Sequence, residues 1–256
     1  MILFDYHTHT NFSDANYGFD ELLEELKKTD IKIIGITDHF EKNLMQSVKV
    51  SKSEYEKAFG VFRDKCFDCG ITAVLGAEVG MKEKEFLPSD NLPDVSYIIA
   101  SFHQMPEKGS MTEKEYWEYY MNVVEYGLKN FRFDIIGHIE GYMPVAPFMH
   151  EEASFDERRS TEKLFAKKYF SLDWYEKISK IMHDRNIAIE IHGGSKSPRI
   201  EVLSVMKKNN VKFSFGSDTH SLVQLKKHRE YFDYAVKALD LKETDFIKLG
   251  GEVCRK

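Results

Sequence analysis

Ile33-Ile34-Gly35-Ile36-Thr37-Asp38-His39 is a short β-branched run that ends abruptly in an acid and a histidine. The run is apolar on both faces, which suits a strand of a parallel sheet covered by helices. Six more runs of the same kind follow or precede it: Ile2–Tyr6, Ala73–Glu78, Val95–Ser101, Phe133–Gly137, Ala188–Ile191 and Val211–Ser217. Longer amphipathic stretches separate them. Phe19–Lys28 places Phe19, Leu22, Leu23 and Leu26 on one face, with acids first and lysines last. Ser53–Asp68, Thr112–Asn130, Leu172–Arg185, Arg199–Lys208, Leu222–Leu239 and Glu243–Leu249 read as the other helices. Thr112-Glu-Lys-Glu115 has the capping-box pattern, and Pro198 stands just before the helix that Arg199 opens.

Alternating strands and helices imply right-handed crossovers and a parallel sheet. Seven such units predict an α/β fold of the distorted (β/α)7-barrel kind, one strand short of the eight-stranded barrel, with an open doubly wound sheet as the alternative. Residues 1–256 are read as one domain. Gly80–Asp94 and Ile139–Phe170 break the rhythm and are too long to be simple connections. The second is rich in charge and is expected at the surface.

Composition narrows the function. The 36 basic and 42 acidic residues leave a formal charge of −6 without the basic stripe of a nucleic-acid binder. No apolar stretch approaches the roughly 18–20 residues of a membrane span. The first residues lack the basic and apolar regions of a signal peptide, so a cytoplasmic location is expected. Three cysteines make no disulfide framework, and Cys66-Phe67-Asp68-Cys69 has no second pair to complete a zinc site. Ten histidines are the compositional oddity.

Their positions carry the chemistry. Ligands bind at the carboxyl ends of the strands in such folds. His7, His9 and Asp14 follow the first run, and Asp38 and His39 the second. The third ends at Glu78, the fourth at His103, the fifth at His138, the sixth at Glu190 and His192, and the seventh at Asp218 and His220. Only His150, His183 and His228 lie elsewhere. His-x-His on a strand puts both imidazoles on one face. Imidazole and carboxylate are the ligands of hydrolytic Zn, Fe or Mn sites, and this set is large enough for two or three divalent ions.

The string Asp5-Tyr6-His7-Thr8-His9-Thr10 with Ser13-Asp14 resembles the first motif of the PHP (polymerase and histidinol phosphatase) family. Ile36-Thr37-Asp38-His39, Gly76-Ala77-Glu78, Ser101-Phe102-His103, Ile136-Gly137-His138 and Gly216-Ser217-Asp218-Thr219-His220 resemble its later motifs, in order. The length, without a polymerase appendage, looks most like the stand-alone histidinol-phosphatase branch. The resemblance implies a seven-stranded barrel and a trinuclear site. His7, His9, Glu78 and Asp218 would hold one metal; Glu78, His103 and His138 the second; Asp14, His39 and His220 the third. Many family members have histidine where this chain has Asp14, and carboxylate favours harder ions.

The expected reaction is hydrolysis of a small-molecule phosphomonoester, L-histidinol phosphate in the first instance, in histidine biosynthesis. The alternatives are a PHP hydrolase of nucleotides, oligonucleotide ends or phosphotyrosine, and a non-catalytic metal-binding module. Arg158, Arg159 and Arg199 are candidates for binding phosphate, because a guanidinium can grip it bidentately. His192 is a candidate for substrate contact or proton transfer. Asp38 is a candidate for orienting a ligand imidazole or, second to that, for acting as a base. Glu190 is left between recognition of a cationic group and pairing with a basic neighbour. The oligomeric state has no signature in the sequence.

Overall fold

The structure, a computed structural model, describes residues 3–102 and 108–249. The strands are β1 (Phe4–Asp5), β2 (Ile33–Ile36), β3 (Thr72–Lys82), β4 (Glu85–Phe86), β5 (Tyr97–Ser101), β6 (Ile135–Ile136), β7 (Ala188–His192) and β8 (Phe213–Gly216). All but β4 pair in parallel, in the order β1-β2-β3-β5-β6-β7-β8. The last strand returns to the first: Tyr6 N donates to Phe215 O at 2.9 Å and Asp218 N to His7 O at 2.8 Å. The result is the nearly closed, distorted seven-stranded (β/α) barrel that the spacing of apolar runs predicts.

Helices α1 (Phe19–Leu26), α2 (Lys52–Asp68), α3 (Glu113–Asn130), α4 (Phe155–Tyr169), α5 (Leu172–Asp184), α6 (Ile200–Lys208), α7 (Leu222–Lys227) and α8 (Arg229–Leu239) make up the helical complement. Ser51, Thr112, Ser154 and Ser171 each accept a backbone N–H at a helix start. Among the described residues, no helix is long and apolar enough to cross a membrane.

A single ring fills much of the barrel interior near β1–β3. Tyr97 is buried and donates its hydroxyl to Tyr6 O at 2.7 Å. To do so it lies across Gly35 and Gly76, where a Cβ would come within 1.9 Å of its oxygen and 2.5 Å of its ring. Two glycines on neighbouring strands thus make room for one aromatic side chain.

The two long connections contain structure of their own, and two expected helices need correction. The stretch Gly80–Asp94 is not a plain loop, because β3 runs on to Lys82 and folds back on β4. The stretch Ile139–Phe170 contains α4, capped by Ser154 and Glu157. Its apolar face is too narrow to read as helix, since Glu162, Phe165 and Ala166 are its buried residues. The helix expected over Leu222–Leu239 divides at His228 into α7 and α8, and there His228 Nδ1 bonds Ser217 O at 2.6 Å. The helix expected over Glu243–Leu249 shrinks to one 3-10 turn, Glu243–Asp245. Beyond it, Ile247 N bonds Phe213 O at 2.9 Å and Phe246 bridges Phe213, so β8 takes the backbone groups a helix would need.

Gly76→Ala should overpack the barrel against Tyr97 and lower stability by about 1–3 kcal/mol. The urea midpoint of unfolding is the measurement, and an unchanged midpoint would contradict the packing described.

Candidate metal centre

His7 and His9 leave the end of β1 on the same face and are both fully buried. Glu78 reaches them from β3 and Asp218 from the end of β8. His7 Nε2 lies 3.4 Å from Glu78 Oε2 and 3.6 Å from Asp218 Oδ1. For His9 Nε2 the corresponding separations are 3.4 and 3.1 Å. Neither ring nitrogen makes a hydrogen bond, although both are buried.

The reason lies on the other side of the His7 ring. Its Nδ1 is 2.6 Å from Glu190 Oε1, while Glu190 Oε2 accepts the His138 backbone N–H at 2.7 Å. A proton on Nδ1, held by Glu190, leaves the lone pair of Nε2 facing two carboxylates. A lone pair against carboxylate oxygens is repulsive unless a proton or a metal cation stands between them. This donor set therefore fits a divalent ion, and a carboxylate behind a ligand imidazole is the usual arrangement at metal sites. Gly216 makes it possible: a Cβ there would sit 1.9 Å from Glu190 Oε1 and 2.5 Å from His7 Cβ.

Glu78 also receives Ser101 Oγ at 2.6 Å, and lies 3.0 Å from both His138 Nε2 and His39 Nδ1. Its two oxygens thus face two groups of imidazoles, as a bridging ligand would. His103 lies outside the described residues. A further group gathers around Asp14, 3.1 Å from His220 Nε2, 3.5 Å from His39 Nε2 and 3.8 Å from His9 Nδ1. One ligand atom each from His9, Asp14, His39 and His220 lie within 4.8 Å of one another, and so do those of His7, His9 and Glu78. Ligand atoms about 2 Å from a common ion have such spacings. His9 faces both groups.

The electrostatics are those of a crowded, dry site. With no ion among these groups, burial pulls the His7 pKa down, but Glu190, Glu78 and Asp218 outweigh it and hold the pKa well above its ordinary value, so a divalent ion at Nε2 would take the place of a second proton. Burial, with His220 and His39 beside it, pushes His9 down to about 4. Burial opposes ionisation of Asp218, yet His7 and its imidazole neighbours keep its pKa well below normal. Burial is likewise overcome at His220, which Asp14 and Asp218 raise to about 9. His138 and Asp218 also have left-handed backbones, with φ of 24° and 51°. Strain of this kind persists where surrounding structure enforces it.

Asp38 reaches the imidazoles through a neighbour, Ser13, whose hydroxyl lies 3.5 Å from His9 Nδ1. It accepts Thr10 N and Thr10 Oγ1 at 2.6 Å each, Ser13 Oγ at 2.5 Å and Tyr55 Oη at 2.6 Å. Among the described residues it bonds no imidazole directly. It fastens the loop that carries Asp14 towards His39 and His220. His192 is fully buried, and the Ser195 backbone N–H points at its Nδ1 from 3.1 Å. Its proton therefore sits on Nε2, 3.1 Å from Asp218 Oδ2.

The three arginines separate. Arg158 is exposed. Arg199 is tied elsewhere: its Nη1 pairs with Glu140 at 2.9 Å and its Nη2 donates to Phe170 O at 2.5 Å. Arg159 lies beside the cluster. Its guanidinium stacks 4.0 Å from the ring centre of Tyr142, whose edge meets His138 and His192 at 5.5 and 5.3 Å. Nη2 of Arg159 bonds Glu162 at 2.5 Å, while Nε and Nη1 are buried without a hydrogen-bond partner. Tyr142, Glu162 and the His7–Glu190 pair are parts of the site that sequence reasoning did not locate. The signal for Tyr142 was weak: one aromatic residue after Gly141 in a segment with no helical or strand period.

A model of the PHP domain matches residues 5–193. The fold is similar to that of a histidinol phosphate phosphatase from Lactococcus lactis, solved in complex with zinc, L-histidinol and phosphate. The two share 18% identity at a TM-score of 0.66, over 91% of this chain and 93% of that one. A putative histidinol phosphatase from Listeria monocytogenes is similar too, at 16% identity and a TM-score of 0.63, over 90% of this chain and 99% of that one. No curated protein sequence matches this chain.

Two outcomes test the electrostatics. Glu190→Gln should weaken divalent-metal affinity by about 10–100-fold, measured by competition with a chromogenic chelator; wild-type affinity would remove Glu190 from the site. Burial, offset in part by Arg159 and the amides of Tyr142 and Met143, raises Glu162 from 4.5 to about 7. The folded state then takes up a proton where the unfolded state has lost it. Stability should fall by on the order of 3 kcal/mol as pH rises from about 4.5 to about 7. The difference between wild type and Glu162→Gln, read as thermal midpoint against pH, isolates that contribution.

Proposed function

This chain belongs to the PHP family of metal-dependent phosphoesterases, and from that membership we propose that it hydrolyses L-histidinol phosphate to L-histidinol and phosphate. The observation that carries a phosphoryl substrate is Arg159: its Nε and Nη1 donors are buried and unpartnered, and its guanidinium lies over Tyr142, whose ring meets His138 and His192. Buried N–H groups left unbonded cost free energy of about 1–3 kcal/mol or more, and a tetrahedral oxyanion satisfies several at once. The leaving group is suggested by the Lactococcus lactis enzyme of like fold, whose structure contains L-histidinol and phosphate.

Two or three divalent ions (Zn, Fe or Mn) are the proposed cofactors. His7, His9, Glu78 and Asp218 would hold one, Glu78 and His138 with His103 a second, and Asp14, His39 and His220 a third. When bound, such ions neutralise phosphoryl charge and acidify water to a nucleophile near neutral pH. The chain's own residues set the geometry. Glu190 aims His7. His192 donates Nε2–H to Asp218 Oδ2 and so orients that carboxylate; in this reading it is a positioning group. Asp38 fastens residues 10–14. Arg159 takes phosphoryl oxygens through Nε and Nη1. Arg199, held by Glu140, stiffens the start of α6 and stays out of the reaction.

The test is a phosphatase panel on metal-loaded protein with L-histidinol phosphate, nucleotides, short oligonucleotides and phosphotyrosine. The highest kcat/KM should fall on L-histidinol phosphate, and a preference for any other class would displace it as substrate. Arg159→Ala should lower kcat/KM by about 10²–10³-fold, the usual cost of removing a charged donor from a developing oxyanion.

A further inference from the structure

The turn after β6 is strained at an aromatic residue. Gly141 N closes on His138 O at 2.7 Å, and Tyr142 then adopts φ 51°. For a bulky side chain this conformation is rare and costs on the order of 1–3 kcal/mol. Gly141 lets the turn press against the loop after β7, where a Cβ would meet Ser195 Oγ at 2.1 Å.

What the strain obtains is a place for one ring. The ring of Tyr142 meets the imidazoles of His138 and His192 at steep angles, 70° and 84°. Its face carries the Arg159 guanidinium at 4.0 Å. Phe155 adds a second ring 5.0 Å from the same carbon, and Glu162 takes Nη2. The guanidinium thus sits over one ring, is flanked by another and is tied at one corner. Stacking on an aromatic face leaves the N–H edge of a guanidinium free in the plane. That free edge is Nε and Nη1, the two nitrogens without a partner.

We propose that Tyr142 is a positioning residue: its ring, fixed between the His138–His192 edge of the metal centre and Arg159, presents Nε and Nη1 of Arg159 as a rigid two-pronged site for a tetrahedral oxyanion. The proposal rests on the reading that Arg159 binds the phosphoryl group. It assigns the strained turn a purpose, because an aliphatic side chain of similar volume would fill the space without offering a face. The hydroxyl is not required; the ring is.

The experiment is calorimetric titration of inorganic phosphate into metal-loaded protein, with metal content measured on each sample. Tyr142→Asn is the central variant, since asparagine adopts the left-handed backbone readily and keeps the turn without the ring. Phosphate affinity should fall about tenfold, within the range of a desolvated cation–π contact, with metal content unchanged and the loss of kcat/KM appearing chiefly in KM. Tyr142→Phe should restore it. In an Arg159→Ala background, Tyr142→Asn should have no further effect on phosphate affinity, a coupling that a purely structural ring would not produce. Should Tyr142→Asn fail to fold, Tyr142→Leu carries the same comparison. Wild-type affinity in the non-aromatic variant beside lost affinity in Arg159→Ala overturns the role of Tyr142 alone. Wild-type affinity in Arg159→Ala overturns the phosphate reading itself.

Discussion

Glu190 is a fully buried carboxylate that holds two strand ends at once. One oxygen takes the proton of His7 at the end of β1, and the other takes the backbone N–H of His138 just after β6. An isolated ionised carboxylate in that position would be untenable. Burial works against its ionisation, and His7 and His192 outweigh burial to keep its pKa below normal. The arrangement works only because Gly216 on the neighbouring strand leaves the space. Remove the pair, and His7 loses its tautomer, His138 loses an anchor for its left-handed backbone, and Glu78 loses the neighbours that define its two faces.

Much of this was legible from the chain. The seven apolar runs and their strand-end residues announce the barrel and its rim, because parallel strands buried on both faces cannot hide their composition. Period-2 alternation puts His7 and His9 side by side without any coordinates. The pairings were not legible. Asp38 and Glu190 are both acids at strand ends, and the sequence offers Asp38 as a candidate partner for an imidazole while leaving Glu190 between a cationic group and a basic neighbour. The difference is set by strand neighbours: β7 brings Glu190 beside β1 across Gly216, whereas Asp38 is met by Thr10, Ser13 and Tyr55. Arg158, Arg159 and Arg199 posed the same difficulty. Adjacent residues on a helix point about 100° apart, so Arg158 faces solvent while Arg159 faces the site, and no local pattern chooses between them.

The two kinds of legibility map onto two parts of the molecule. The barrel strands, with regular geometry and strand-end ligands, supply the donor set for cations. The segment between β6 and α5 supplies Tyr142, Arg159 and Glu162, the groups that on the proposed function meet the anion. A fold fixes the first by hydrogen-bonded register, and that is why spacing predicts it. The second depends on a strained turn and one helix whose buried face includes an acid, Glu162, where an apolar residue would be expected. Such features are set by fit to a ligand and not by the period of any element. On the proposed function, metal binding would be tied to the scaffold, while the choice of phosphate ester would be carried by side chains of a segment outside the strands. On that division, substitutions at Tyr142, Arg159 or Glu162 would alter substrate preference at constant metal content, and substitutions at Glu190 or Gly216 would do the reverse.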